Sequence, residues 1–161
     1  MKDIFPKPVN PPKLVKPNGA QLGYIVAAIS ALFAILHLVR VDLLVPALDK
    51  TIPGGSGWAG MIVFLIIMAE VFAIPFAIRL KLSTLAHIMS GFQIIFAPLL
   101  WCLVTIWAYG TDVSTAQFTS FVSTPSSIWL IILNLAWLTF GFYVLWTLGY
   151  NRLKLPRLLS K

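Results

Sequence analysis

Charge is what this sequence has least of. Only 11% of its 161 residues are Asp, Glu, Lys or Arg, against roughly 25% in soluble domains. So few charges cannot cover the surface of a soluble fold of this length. One cysteine, Cys102, excludes an internal disulfide and any multi-cysteine metal site. Two histidines and five acidic residues leave little material for a metal cluster or a catalytic constellation. A cleavable signal peptide pattern is also missing, because Met1 to Gly19 is polar and proline-rich and the apolar block behind it runs too long. That block serves instead as an uncleaved signal anchor.

What is abundant is apolar: 59% of the chain, gathered into blocks of about 20 residues, the length that crosses a bilayer core. Four such blocks are predicted as spans at residues 20–39, 58–78, 85–107 and 127–148. A proline- and lysine-rich tail (1–19) precedes them and a basic tail (149–161) follows. The first tail carries Pro6, Pro8, Pro11, Pro12 and Pro17 with Lys2, Lys7, Lys13 and Lys16 between them. Proline fixes φ and removes donors, so an extended or disordered, solvated tail is expected, which a partner would order. Between the first two spans, the front half of VRVDLLVPALDKTIPGGSG suits a short interfacial helix that Pro53-Gly54-Gly55 ends. The brief Arg79–Thr84 turn sets the third span antiparallel beside the second. A Ser/Thr-rich loop, Gly110 to Ser126, leads to the fourth.

The expected fold is therefore an all-α integral membrane protein, an antiparallel four-transmembrane-helix bundle. Its sidedness follows from Lys and Arg. The two tails and the Arg79–Lys81 turn hold ten, and the other side holds only Arg40 and Lys50. Both termini are accordingly placed in the cytoplasm, in a multi-pass protein of the cytoplasmic (inner) membrane. The net charge of +7 comes from these flanks, with no basic stripe interleaved with exposed aromatics, so nucleic acid is not an expected partner.

Polar residues inside the spans need partners or purposes. Gly23, Ala27, Ser30, Ala34 and His37 share one helical face of the first span. Glu70, Ala73 and Ala77 share a face of the second, Ala86, Ser90, Gln93 and Ala97 of the third, and Asn134, Trp137 and Gly141 of the fourth. Such small-residue stripes are helix-packing seams, and each carries a polar group that should point into the bundle. Measured from the cytoplasmic ends, Ser30, Glu70 and Gln93 lie roughly 12–14 Å deep and His37 and Asn134 roughly 21–24 Å deep, at about 1.5 Å per residue. Two polar layers are thus expected.

Glu70 is the leading candidate. A carboxyl group in hydrocarbon is neutral, hydrogen-bonded, or open to a wet cavity. It is a proton or ligand site, or it ties helices together through Gln93 or Ser30. His37 and His87 lie nearly a bilayer apart on this reading, cannot clamp one haem iron, and take packing or interfacial roles. Cys102 reads as a small apolar filler. Pro75 and Pro98 should kink their helices and free the carbonyls of Val71 and Ile94. No nucleophile–base pair or metal-ligand set points to an enzyme.

The stretch MAEVFAIPFAIRLKLSTLAHIMSGF resembles the middle of the DoxX-like group of small four-span bacterial membrane proteins, to which MauE-type maturation proteins are related. Glu70 matches the family's acid in the second span, and Arg79 its basic turn. Where that group has glycines before the turn, this chain has Pro75-Phe76-Ala77-Ile78. The resemblance implies an accessory role in a membrane redox or maturation system, with quinone or lipid as the implied cofactor. Two functions are expected from all this. The first is a small accessory subunit or assembly factor, with membrane lipids and other membrane subunits, or copies of itself, as partners. The alternative is a small proton-coupled transporter or channel that uses Glu70.

Overall fold

In a computed structural model of the protein, the described residues are 7–50, 56–110 and 128–153. They form five α-helices and a closing 3-10 turn: α1 (Gly19–Val39), α2 (Val41–Asp49), α3 (Ser56–Ala77), α4 (Thr84–Gly110), α5 (Ile128–Thr147) and Tyr150–Arg152. Four of the helices, α1, α3, α4 and α5, are long and apolar enough to cross a membrane. Only 28–50% of the most apolar window of each is buried. The remainder, including Leu32, Ile35, Leu38 and Trp129, requires an apolar surrounding such as lipid. Apart from Gly110, which ends α4, the expected loop 110–126, the Pro53-Gly54-Gly55 break, and Lys2, Asp112 and Lys161 lie outside the described residues.

The front half of the loop between the first two spans forms a short helix, α2. Its Leu44 and Leu48 are buried against Ala59, Val63 and Ile66 of α3 and Trp101 and Val104 of α4. A second core lies toward the end that carries the termini, where Val26 and Ala27 pack with Ala73, Phe76, Ala77, Ile94, Val144, Leu145 and Leu148. The small residues singled out as seams are there. Gly23, Ala27, Ala73, Ala77 and Gly141 are all buried. A Cβ on Gly23 would run into the Ala77 carbonyl oxygen, so only glycine lets α1 approach α3 this closely.

Pro75 and Pro98 stay inside their helices, as does Pro46 in α2. Next to Pro75, the Ser90 hydroxyl of α4 donates to the Phe72 carbonyl (2.6 Å) and accepts from the Phe76 N–H (2.9 Å). It is inserted where α3 would otherwise close its own ladder, a recognised way to bend a helix. The carbonyl of Ile94, which Pro98 cannot bond, faces Gly141 of α5. Past Ala77 the chain reverses in a Schellman-type close, with Arg79 N–H to Phe76 O (3.0 Å) and Leu80 N–H to Pro75 O (2.9 Å). Arg79 adopts φ 61° there, a left-handed position where glycine is the usual occupant.

The described part of the amino-terminal segment is extended and largely exposed, and it is also bonded to the bundle. Val9 donates its backbone N–H to Leu82 O (2.8 Å) and Val15 to Thr147 O (2.9 Å). The Arg79 guanidinium donates to Pro12 O at 3.1 Å, and the Lys16 ammonium sits over the rings of Tyr143 and Trp146. Prolines do exclude helix here, as composition predicts. The N–H groups of Val9 and Val15 nevertheless satisfy carbonyls that the α3–α4 turn and α5 leave open. Residues 9–15 form a strap across one end of the bundle.

Candidate functional site

Glu70 is 3% exposed, and its carboxyl meets a group not foreseen as its partner. Nδ1 of His37 lies 2.9 Å from Glu70 Oε2. The expected neighbours, Gln93 and Ser30, line the same cavity as Glu70. Trp101 is a further neighbour: its ring lies 5.1 Å from that of His37, and its side chain also interacts with the Glu70 carboxyl. Phe33, one turn before His37, stacks on the imidazole at 5.8 Å.

The two polar layers are therefore not separate. Counting rise alone puts the His37 and Glu70 backbones more than a turn apart. It omits that Cα–Cβ bonds lean toward the N-terminus of their own helix. The stacking of His37 back on Phe33 is that lean, and it carries the imidazole to Glu70's level. Asn134, assigned to a layer with His37, instead donates to Thr105 Oγ1 at 2.9 Å, and Thr105 in turn donates to Trp101 O at 2.7 Å. Thr105 was missed because a threonine in a helix usually bonds its own backbone, and nothing in its spacing singles it out.

The cavity has a volume of about 350 Å³ and is lined from α1, α3, α4 and α5. Ser30, Glu70, Gln93 and Asn134 supply its polar groups, and Phe33, Trp101 and Trp137 its rings. Leu32 and Leu133 on its rim are more than half exposed, so it opens sideways between α1 and α5, toward the space lipid would fill. The cause lies at the other end. There Gly19 and Gly23 bring α1 onto Thr147 and Leu148, whereas along the cavity α1 and α5 present the bulkier Leu32, Phe33, Leu133 and Trp137. Pro98 of α4 is buried in the cavity wall.

His87 belongs to a different place. It is fully buried at the start of α4, where Nε2 donates to Leu80 O (3.1 Å) and the ring meets Phe76 edge-on. Among the described residues no group of three or more His, Cys, Asp or Glu is placed to hold a metal. Cys102 is buried and unpaired with another sulfur.

No family model, curated protein or solved structure matches this chain.

Proposed function

We propose that this chain is a small proton-coupled membrane carrier that takes a lipophilic ligand from the bilayer into the cavity between α1 and α5. The observation that carries this reading is the His37–Glu70 pair, an acid and a base 2.9 Å apart, beside a cavity open to the lipid side. A lone carboxyl at that depth has nothing to exchange its proton with. An imidazole in contact with it supplies that second titratable group.

The bundle is antiparallel in this proposal, with both termini cytoplasmic. Contacts of Gly23 with Ala77 and of His37 with Glu70 support the opposite course of α1 and α3, and the Lys/Arg asymmetry supports the sidedness. A cysteine placed at Lys81 should then be labelled only from the cytoplasmic side, and one at Lys50 only from outside. Reversed labelling would remove the sidedness.

The accessory-subunit reading, in a redox or maturation complex of a bacterial inner membrane, stands second. It rests on the DoxX-like resemblance and on tails suited to partners, and the strap now occupies part of one tail on the bundle itself. Reconstitution separates the readings. Liposomes containing the protein and an internal pH indicator, under an imposed pH gradient, should show proton movement accelerated by some member of a panel of lipophilic amines, acids and neutral compounds. Glu70→Gln should abolish the acceleration. Equal rates with and without the protein for the whole panel would overturn the carrier.

A further inference from the structure

Among the described residues that line the cavity, Glu70 is the one ionisable side chain. Behind it stands His37, from α1. The α4 and α5 linings add only the neutral amides Gln93 and Asn134, with no Lys or Arg. Cys102 is buried outside the lining, and the acids of α2, Asp42 and Asp49, are exposed. An anion entering here would meet no counter-charge and would face a carboxyl group. A cation would meet a counter-charge in a medium where an unpaired charge costs several kcal/mol.

The walls select in the same direction. Phe33, Trp101 and Trp137 line the space, and the faces of such rings attract ammonium groups, most strongly where water is excluded. At about 350 Å³ the cavity is near the small end of the roughly 300–1,000 Å³ typical of ligand pockets. It holds one compact, ring-bearing or branched molecule. It is too small for a two-chain lipid, whose tails each extend about 15 Å, half the hydrocarbon core.

We propose that the cavity binds a lipophilic organic cation, a substituted amine or quaternary ammonium, in exchange for the proton held between His37 and Glu70. This assignment rests on the carrier reading and names its substrate class. The charge balance is simple. The empty pair holds one dissociable proton and has no net charge, whether that proton sits on Nδ1 or on Oε2. A monovalent cation would leave the site at +1. Releasing the shared proton to water leaves neutral His37, carboxylate Glu70 and the bound cation, again with no net charge. One proton leaves for each cation that enters, and no other group lining the cavity can take that role. A neutral ligand would bind without releasing a proton.

The test uses the full chain in mild detergent with three probes: benzyltrimethylammonium, its neutral carbon isostere neopentylbenzene, and benzenesulfonate. Calorimetry in two buffers of different ionisation enthalpy should give release of one proton per ammonium bound. Affinity should rise about tenfold per pH unit while the pair remains loaded. The isostere and the sulfonate should bind at least tenfold more weakly. Glu70→Gln should lower ammonium affinity at least tenfold and abolish proton release. If that variant does not fold, Trp137→Leu leaves the pair intact; it should weaken binding severalfold yet still release one proton. Equal affinity for ammonium and isostere, or ammonium binding without proton release, would overturn the assignment. Cation binding with proton release in detergent but no flux in liposomes would keep the site's chemistry and overturn the carrier. Flux driven only by neutral compounds would do the reverse.

Discussion

The end of the bundle that carries the termini and the middle of the bundle on its α1–α5 side are built from the same apolar alphabet, yet one is closed and the other open. At the closed end glycine and alanine let backbones touch, as where Gly23 meets Ala77 and Gly19 meets Thr147. The strap then adds main-chain bonds to Leu82 and Thr147. In the open region the facing residues are bulkier: Leu32 and Phe33 on α1, Leu133 and Trp137 on α5. Large side chains on diverging helices hold a gap where small ones would close it. The polar groups lie at that gap, and this is the difference between a packing seam and a site.

The comparison can be broken most sharply by adding volume to each region. Gly23→Val should cost about 1–3 kcal/mol, the usual penalty of overpacking, because the obstacle is the Ala77 backbone and cannot rotate away. Ala97→Leu, which points bulk into the cavity, should change stability by less than about 1 kcal/mol, since there is room for it. Reversible unfolding in detergent measures both, and equal losses would show that the two regions do not differ in packing.

A smaller effect is expected where the strap crosses the end of α5. Gly149 has φ 79°, and a Cβ there would strike the Lys13 carbonyl. Gly149→Ala should cost about 1–2 kcal/mol through the left-handed backbone and the displaced strap. Hydrogen exchange at the Val15 amide should accelerate in that variant. If the amide stays protected, the strap is held by something other than this contact.

Glu70→Gln probes the open region. An amide keeps both donor and acceptor capacity, so the loss should stay within the roughly 0.6–2 kcal/mol of hydrogen bonds between membrane helices. A loss well beyond that range would make the pair chiefly a structural tie and the cavity incidental.

The mildest test concerns Tyr150, whose hydroxyl donates to Ile88 O at 3.0 Å. Burial holds its phenol above the usual tyrosine range. Its folded-state value is thus raised, so its contribution is fully present below about pH 10, the unfolded value. The contribution is lost as pH rises from there through the folded value, because the unfolded chain gives up its proton first. Phenolate absorbance should appear at higher pH in the folded protein than after unfolding, and Tyr150→Phe should cost about 0.5–1.5 kcal/mol.

The spans were legible because each is a long apolar block with nothing polar enough to stop it. The seams were legible because small residues at three- and four-residue spacing have few other uses in a membrane. Glu70 stood out by its charge alone. Its bond to His37 did not, because depth counted along an axis ignores which way side chains lean. Nor did the cavity, which is lined from α1, α3, α4 and α5 and belongs to no single segment. The strap was hidden for another reason. Its bonds run from backbone to backbone, as from Val15 to Thr147, and its proline and lysine composition speaks only of exposure to water.

That strap also has a place in time. Val15 leaves the ribosome about 130 residues before the carbonyl it bonds at Thr147, which at about 5–20 residues per second is a wait on the order of ten seconds. Within that interval the bonds of Val9 to Leu82 and of Pro12 to Arg79 can already form, but Val15 has no partner until α5 is made. The strap is therefore fastened in two stages, and the second, at Val15, occurs only on a chain whose α5 has already arrived beside α1.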